Sequence, residues 1–338
     1  MRNLIGIIIP YFGHLPNYFD LWLESVKYNS DINVIFLTDI KKPKKIPTNL
    51  IWENISFNEV KKRAQKLVSF NISLSRPYKL TDFRPAYGQM FSDYLENYDW
   101  WGFGDVDTIW GNLDPIIEKV KSNKFDKVLS LGHLTLLKNS KKINSLYRIK
   151  EKNLWNYKEV FSNNNSYHFD EGGGLSFIAR AENCQIYDER PDNMSFADVN
   201  PNYQGFTLAY SSEKDPYIFR WKNGNLQGYY VMNNRVFSKD FTYVHLQKRS
   251  MKLSIHNGDT NDYLIVPNAF IPFEIGKINA QFIKHCNILK PYFVKRSVVT
   301  RIFNRVKFSN IRYLVMQKVK KIPVNGNEVY FKTEKPKY

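Results

Sequence analysis

Four short apolar runs dominate the first half of the chain. Residues 4–10, 33–38, 100–104 and 127–131 are mostly apolar, which is typical of strands that are buried on both faces of a sheet. Residues 51–56 are a weaker candidate for a further strand. The N-terminal run resembles a short signal sequence, but it stops at Pro10 without a small-residue cleavage site. A buried first strand is therefore the better interpretation.

Between these runs the spacing of apolar residues predicts helices over residues 16–28, 58–70 and 82–98, the last interrupted by Pro85 and Gly88. Strands that alternate with helices predict a layered α/β domain. From residue 163 the chain turns to Asn-, Gly- and aromatic-rich segments with short strands, as in a substrate-binding region. After Pro272 it becomes helical and basic. We expect one domain over residues 1–272 and a basic helical C-terminal extension over residues 273–338.

Charge is concentrated near the C-terminus. The formal net charge is +17, and residues 275–327 contain twelve Lys or Arg residues and no Asp or Glu. The charge of this segment is typical of a protein that binds a polyanion. It is equally typical of any protein from a proteome that is generally rich in Lys and Asn. Apolar residues recur within it at helical spacing: Val298, Ile302, Phe303, Val306, Ile311, Leu314, Val315 and Val319. A basic amphipathic helix over residues 295–321 either lies on an anionic membrane surface or packs its apolar side on the main domain.

Composition narrows the class of protein. Hydrophobic residues make up 43% of the chain and aromatic residues 16%, enough for a large core and against global disorder. Cys184 and Cys286 lack metal-type spacing and fit a reducing compartment. No apolar stretch approaches the ~20 residues of a membrane span. The prediction is a cytoplasmic protein, either free or peripheral on the inner face of the membrane.

The strongest candidate for chemistry is the segment DWWGFGDVDTIWGNLD, residues 99–114. Its apolar strand runs directly into Asp105 and Asp107. In an extended chain residues i and i+2 point to the same side, so the two carboxylates converge. Two like charges this close repel, and a divalent cation that prefers oxygen ligands relieves the repulsion. The pair therefore predicts a Mg²⁺ or Mn²⁺ site at the end of the strand.

The order of strand, helix, strand and an aromatic-flanked Asp-X-Asp resembles the GT-A class of nucleotide-sugar glycosyltransferases. The upstream segment KLTDFRPAYG, residues 79–88, resembles the Lys and Asp/Arg helix that precedes Asp-X-Asp in small bacterial and Golgi sugar transferases. The combination is most similar to transferases of bacterial surface-polysaccharide clusters, such as capsule and O-antigen. The resemblance covers residues 1–250 and implies a Rossmann-type mixed sheet flanked by helices, with a nucleotide-binding half (1–115) and an acceptor-binding half (116–272).

The resemblance also implies a set of ligands for the donor, which is expected to be a UDP-sugar. Asp105, Asp107 and His245 would hold the metal, since neutral imidazole binds Mn²⁺. Cationic side chains would neutralise the pyrophosphate. The residues expected to contact the nucleotide or donor sugar are Tyr11, Asp39, Lys79, Asp82, Arg84, Asp105, Lys248 and Arg249. For His245 a structural role in a core strand stays open, as does simple packing for Tyr11.

A second acidic pair, Asp170 and Glu171, directly precedes three glycines at residues 172–174. Glycines let a ligand approach the backbone, and carboxylates accept hydrogen bonds from sugar hydroxyls. By resemblance these acids are catalytic: one would be the general base of an inverting reaction, or both would orient the sugars of a retaining one. The late His and Lys/Arg pattern is similar to that of retaining enzymes and favours retention. The alternative is an acidic turn before a strand over residues 175–179.

The expected activity is metal-dependent hexosyl transfer to a surface-glycan precursor, and a lipid-linked acceptor would account for the basic amphipathic extension. Two other classes stay open. A metal-dependent nucleotidyltransferase or phosphoryl-transfer enzyme also uses paired Asp residues, although the three glycines follow acids that would repel phosphate. A protein that binds a polyanion or a membrane through its basic tail is the other. The aromatic residues are dispersed and no nucleic-acid motif is present, so no nucleic acid is expected as a partner.

Overall fold

The computed structural model describes residues 3–171, 173–188, 196–199, 205–208, 215–247, 249, 251–255, 260–288 and 318–319. Almost all of the predicted basic helix at 295–321 lies outside the described residues, so its amphipathic pattern and its docking stay predictions. In the part of the chain that the structure describes, no helix is both long and apolar enough to cross a membrane.

The strands in chain order are β1 (Asn3–Pro10), β2 (Ile32–Thr38), β3 (Leu50–Asn54), β4 (Tyr98–Gly104), β5 (Thr108–Trp110), β6 (Lys127–Leu131), β7 (Leu134–Lys138), β8 (Ile186–Tyr187), β9 (Phe196–Val199), β10 (Phe206–Leu208), β11 (Tyr217–Lys222), β12 (Asn225–Met232), β13 (Arg235–Phe241), β14 (Tyr243–His245), β15 (Lys252–Leu253), β16 (Asp262–Val266) and β17 (Ala269–Pro272). The α-helices are α1 (Phe19–Lys27), α2 (Phe57–Lys66), α3 (Tyr87–Met90), α4 (Ser92–Leu95), α5 (Asp114–Lys121), α6 (Lys141–Asn144), α7 (Tyr157–Phe161), α8 (Leu175–Ala181) and α9 (Ala280–Cys286). Two 3-10 helices cover Pro77–Ala86 and Leu146–Arg148.

The central sheet has seven strands in the order β3-β2-β1-β4-β7-β6-β8. The first four are mutually parallel, whereas β7 is antiparallel to both β4 and β6. The chain leaves β1 toward β2 and β3 on one side and returns to β4 on the other. In open α/β sheets such a reversal opens a crevice at the carboxyl ends of the strands, where ligands bind.

Helices cover both faces of this sheet, which confirms the predicted mixed α/β fold. Alternate side chains of β1 point to opposite faces, as in any strand. Ile8 joins a core with α2, α8 and the 3-10 helix Pro77–Ala86. Ile7 and Ile9 join a core with α1 and α5, where Trp22 is fully buried. The apolar runs of the sequence are therefore buried from both sides.

Two smaller sheets are built from the second half of the chain. One has the order β10-β9-β14-β5, and the other has the order β13-β12-β11-β16-β17-β15. In the first, β14 pairs antiparallel with β5, so that His245 lies opposite Thr108. This pairing brings a late segment of the chain to the carboxyl edge of the central sheet.

Two predictions of local structure were wrong. Residues 175–179, given as a strand in the alternative interpretation, lie in α8, where residues 175, 176, 178 and 179 are buried at helical spacing. A short apolar run does not distinguish a strand from a buried helix. The helix predicted over residues 82–98 is instead the 3-10 helix Pro77–Ala86 followed by α3 and α4. Pro85 lacks the N–H that a continuous α-helix needs, and β4 already begins at Tyr98.

Candidate active site

Asp105 and Asp107 lie at the carboxyl edge of the central sheet. β4 ends immediately before Asp105, and β5 begins immediately after Asp107. The backbone is fixed on several sides: Asp105 N donates to His133 O (3.2 Å), and Leu246 N donates to Asp107 O (2.6 Å). The Thr108 hydroxyl donates to Asp105 O (2.7 Å). These bonds hold both carboxylates at the end of the buried strand.

His245 completes a group of potential metal ligands. Its Nε2 atom lies 3.5 Å from Asp107 Oδ1, and one ligand atom from each of Asp105, Asp107 and His245 lies within 4.8 Å of the others. Asp107 is buried, while the other two are half-buried. Two carboxylates and an imidazole suit Mn²⁺ or Mg²⁺, and the closeness of two like charges favours a cation between them. The donor set therefore fits a divalent metal.

His133 is a further neighbour of this group that no sequence pattern indicated. It lies in the turn between β6 and β7, and its ring stacks on the His245 ring at 4.3 Å with an interplanar angle of 19°. Its Nδ1 atom is 2.9 Å from the Tyr243 hydroxyl. A single His after a glycine carries no periodic or motif signal, so the sequence offered no means to find it.

Arg84 links the two acidic segments. Its Nη1 atom donates to Asp170 Oδ2 (2.8 Å) and to Gly132 O (2.9 Å), and its Nη2 atom contacts Asp105. Burial disfavours the charge of Arg84, but Asp105 and then Asp170 outweigh it, so the pKa of the guanidinium is raised. Arg84 therefore stays a cation inside the site.

Asp170 and Glu171 differ in environment. Asp170 is 2% exposed; burial raises its pKa to about 7, with Arg84 acting in the opposite direction. Glu171 is half-buried, and its carboxylate accepts a hydrogen bond from Gly132 N (2.7 Å). Asp170 is thus a partner of Arg84, whereas Glu171 is the acid that is more accessible to a ligand. The catalytic roles of both acids stay predictions.

Lys79 and Asp82 form a buried ion pair of 2.8 Å, with side chains 1% and 0% exposed. The Asp82 carboxylate accepts the N–H groups of Tyr167 (3.0 Å) and Phe169 (3.1 Å). Lys79 Nζ donates to Asn165 O (2.5 Å), and burial lowers its pKa although Asp82 raises it. The pair thus bonds to the segment that leads to Asp170. A direct contact of either side chain with the ribose or donor sugar stays a prediction.

Tyr11 and Asp39 follow β1 and β2 at the same edge of the sheet. Tyr11 stacks on Phe36 at 5.9 Å, and its hydroxyl donates to His14 O (2.6 Å). Burial raises the pKa of Tyr11, and Asp107 and Asp105 raise it further, so Tyr11 lies near the acid pair. Asp39 is exposed. Their expected contacts with the base and ribose stay predictions.

The two cationic residues expected to follow β14 at the site are Lys248 and Arg249. Lys248 lies outside the described residues. Arg249 is buried, and its Nη1 atom donates to Pro267 O (2.6 Å) and to Asn268 Oδ1 (3.3 Å) in the turn between β16 and β17. In this structure Arg249 thus bonds to that turn, and its contact with a diphosphate stays a prediction.

Fold and site together define a mixed α/β protein with a candidate divalent-metal centre at the carboxyl edge of its parallel strands. The chain belongs to the family of unknown function DUF6625, whose profile matches residues 7–274. No curated protein matches the chain.

Among solved structures, the apo form of the glycosyltransferase GlyE from Streptococcus pneumoniae TIGR4 is similar at 14% identity and a TM-score of 0.29, over 60% of this chain and 47% of that one. A second crystal structure of GlyE from the same organism gives 14% identity and a TM-score of 0.26, over 56% and 45%. The chain thus spans about half the length of the GlyE chains that it matches. Scores this low assign neither an activity nor a substrate.

Proposed function

We propose that this protein is a metal-dependent glycosyltransferase that moves a hexosyl group from a nucleotide sugar to a surface-glycan precursor. The observation that carries the proposal is the cluster of Asp105, Asp107 and His245 within 4.8 Å of one another. The carboxyl edge of parallel strands is where α/β sheets bind nucleotides. The resemblance of residues 79–107 to sugar transferases supports a sugar nucleotide as the ligand, with a UDP-sugar as the expected donor.

The chemistry follows from charge. Breaking the sugar–phosphate bond leaves positive charge on the anomeric carbon and negative charge on the departing diphosphate. When bound, Mn²⁺ or Mg²⁺ supplies a positive charge that stabilises this leaving group. Asp105, Asp107 and His245 would hold that ion, and the Arg84 guanidinium contacts the Asp105 carboxylate. Lys248 would neutralise a further phosphate charge.

The acids of the second segment would act on the sugars. Glu171, which is half-buried and already accepts the Gly132 N–H, would accept hydrogen bonds from sugar hydroxyls, while Arg84 holds Asp170. We favour retention of anomeric configuration, with these acids orienting the sugars. In an inverting reaction Glu171 or Asp170 would instead take the proton of the acceptor hydroxyl, and a pKa of about 7 suits Asp170 to exchange a proton near neutral pH.

The proposal extends to where the protein works. A lipid-linked acceptor on the cytoplasmic face of the membrane would explain twelve basic and no acidic residues in the segment 275–327. Residues 295–321 would then lie on anionic lipid and bring the active site to the acceptor.

The testing experiment is thermal unfolding with UDP, GDP or CDP, each with Mn²⁺ or with EDTA. A ligand at a hundred times its Kd stabilises the native state by about 2.7 kcal/mol, so the correct nucleotide should raise Tm with Mn²⁺ but not with EDTA. Asp107→Ala should lose this increase. Asp31→Ala is the matched control, since Asp31 is exposed and pairs with Lys121 on the surface. No stabilisation by any nucleotide would contradict the proposal.

Product analysis separates the remaining enzyme class. The substrate for this assay is the hexose derivative of the nucleotide that stabilises the protein. A glycosyltransferase releases the nucleoside diphosphate from it. A nucleotidyltransferase acting on the corresponding triphosphate would release pyrophosphate. Pyrophosphate release that depends on Asp107 would replace the proposal with the nucleotidyltransferase.

A further inference from the structure

His133 contacts residues of the candidate metal centre through both its side chain and its main chain. Its side chain is buried, and one face of its ring covers the His245 ring at 4.3 Å. The backbone oxygen of the same residue accepts the N–H of Asp105 (3.2 Å). One residue therefore touches two of the three potential ligands, one through its ring and one through its main chain.

A second contact fixes the ring of His133. The Tyr243 hydroxyl lies 2.9 Å from His133 Nδ1, and the two rings meet edge to face at 5.5 Å. Tyr243 and His245 are i and i+2 on β14, so both side chains project from the same side of the strand. The His133 ring thus contacts both of these side chains, and pairing of β14 with β5 holds the strand itself.

We propose that His133 is a positioning residue for the metal: its ring, oriented by Tyr243, keeps the His245 imidazole turned toward Asp107. The inference rests on the proposed metal centre. An imidazole that is free to rotate must lose rotational freedom when it binds a cation, whereas a stacked ring is already oriented. Loss of a hydrogen-bonded partner of a metal ligand typically lowers metal affinity by about 10–100-fold, which sets the upper limit for a partner that stacks on the ligand ring.

The test is Mn²⁺ affinity of the full chain, measured from the EPR signal of free Mn²⁺ without any substrate. His133→Ala should weaken binding by up to about 100-fold, and His133→Phe, which retains a flat ring, should weaken it less. Tyr243→Phe removes only the hydroxyl and should weaken binding by a smaller factor. The double variant of His133→Ala and Tyr243→Phe should be no weaker than His133→Ala, because both changes act through one ring.

The decisive comparison uses a background without the ligand. In His245→Ala, which itself binds Mn²⁺ more weakly, the further change His133→Ala should have no effect on affinity. A general structural role of His133 would lower affinity equally in both backgrounds, and that result would overturn the proposal. His285→Ala, at an exposed histidine of α9, is the control and should bind Mn²⁺ as the wild type does.

The outcomes separate two failures. Unchanged affinity in His133→Ala and His133→Phe, beside weakened binding in His245→Ala, would overturn the role of His133 alone. Equal affinity in the wild type and His245→Ala would overturn the metal centre, and the positioning role with it. Thermal melts of each variant without metal identify any change that acts through unfolding.

Discussion

Arg84 Nη1 lies 2.8 Å from Asp170 Oδ2, and both side chains are largely shielded from solvent. The same guanidinium contacts Asp105 through Nη2. One buried cation therefore joins the acid pair that follows β4 to the acids that precede α8. These acids come from distant parts of the sequence, and Arg84 bridges them directly.

Removal of this cation should destabilise the fold. Arg84→Gln leaves Asp105 and Asp170 close together without a counter-charge, and breaking a buried ion pair by deleting one partner costs about 3–5 kcal/mol. The free energy of unfolding from urea titration at pH 8 measures the loss. Adding Asp170→Asn to Arg84→Gln should recover part of it, because one of the stranded charges is then gone.

The matched control breaks an exposed pair of the same kind. Arg63 binds Asp93 through both of its terminal nitrogens on the surface, and exposed pairs contribute about 0–1 kcal/mol. Arg63→Gln should therefore lower the free energy of unfolding by less than about 1 kcal/mol. Equal losses in Arg63→Gln and Arg84→Gln would show that the buried bridge contributes no more than a surface pair.

Asp170 should make stability depend on pH. Its pKa is raised by burial from 3.8 to about 7, so between these values the folded state binds a proton that the unfolded state has lost. The free energy of unfolding therefore falls as pH rises through this window, by at most about 1.4 kcal/mol per pH unit for one proton. At pH 7 about half of the folded molecules still carry this proton, so the loss is complete about one pH unit higher.

Asp170→Asn removes this proton and should flatten the dependence. Urea titrations at intervals from about pH 4.5 to about pH 9 measure it: the wild type should lose stability relative to the variant until about one unit above pH 7 and then run parallel. Parallel curves over the whole range would mean that the carboxyl ionises alike in both states.

The sequence could predict those features that depend on local patterns. The apolar runs gave β1, β2, β4 and β6 to within two residues. The proximity of Asp105 and Asp107 was also predicted, but the i, i+2 alternation of an extended strand is not its cause, because both residues lie in the bend between β4 and β5. The stacking of His133 on His245 could not be predicted, because it depends on the pairing of β14 with β5, more than 130 residues apart in the chain. The contacts of Arg84 with Asp105 and Asp170 could not be predicted either, because they join segments that are far apart in the chain. Such contacts are tertiary, and a single sequence carries no local signal for them.

Gly132 lies where the acids and Arg84 meet, and a side chain there should disturb all three. A Cβ atom on this residue would lie 2.6 Å from Asp170 Oδ2, 2.7 Å from Glu171 Oε1 and 2.9 Å from Arg84 Nη1. Gly132→Ala should therefore displace these groups, and misplacement of catalytic groups by about 1 Å can lower the rate about 100-fold. The measurement is kcat for release of the nucleoside diphosphate.

Gly6 provides the control for steric crowding alone. A Cβ atom on Gly6 would lie 2.9 Å from the Tyr98 ring in the core, so Gly6→Ala should lower stability by about 1–3 kcal/mol without a comparable fall in kcat. Similar kcat values in Gly132→Ala and the wild type would contradict a role of this acid cluster in turnover.

The basic C-terminal segment should bind anionic lipid. Near such a membrane each Lys or Arg contributes about 1 kcal/mol, so replacing Arg301, Arg305, Lys307 and Arg312 by Gln should lower the partition coefficient on phosphatidylglycerol vesicles by up to about 1,000-fold. Turnover of a soluble acceptor should persist. Replacement of the exposed Lys41, Lys42, Lys44 and Lys45 by Gln removes the same charge elsewhere. Equal losses in both variants would show that overall charge, and not this segment, governs binding.

The buried pair of Lys79 and Asp82 should hold the segment before Asp170 in place. Asp82→Ala leaves the Lys79 ammonium buried without its carboxylate, and it removes the acceptor of the Tyr167 and Phe169 N–H groups. The expected loss is about 3–5 kcal/mol, with faster hydrogen exchange at these two amides than at those of β1. The double variant Lys79→Met and Asp82→Leu should lose less than Asp82→Ala, because no unpaired charge remains inside.

A pair with the same i, i+3 spacing on the surface separates burial from sequence distance. Lys277 binds Glu274 at 2.8 Å with both side chains partly exposed, so Glu274→Gln should change stability by less than about 1 kcal/mol. If Asp82→Ala instead left exchange at Tyr167 and Phe169 unchanged, the segment would owe its position to other contacts. A large loss confined to the buried pair would mean that Asp82 orders the main chain before Asp170. Its carboxylate accepts hydrogen bonds from the N–H groups of Tyr167 and Phe169 in that segment.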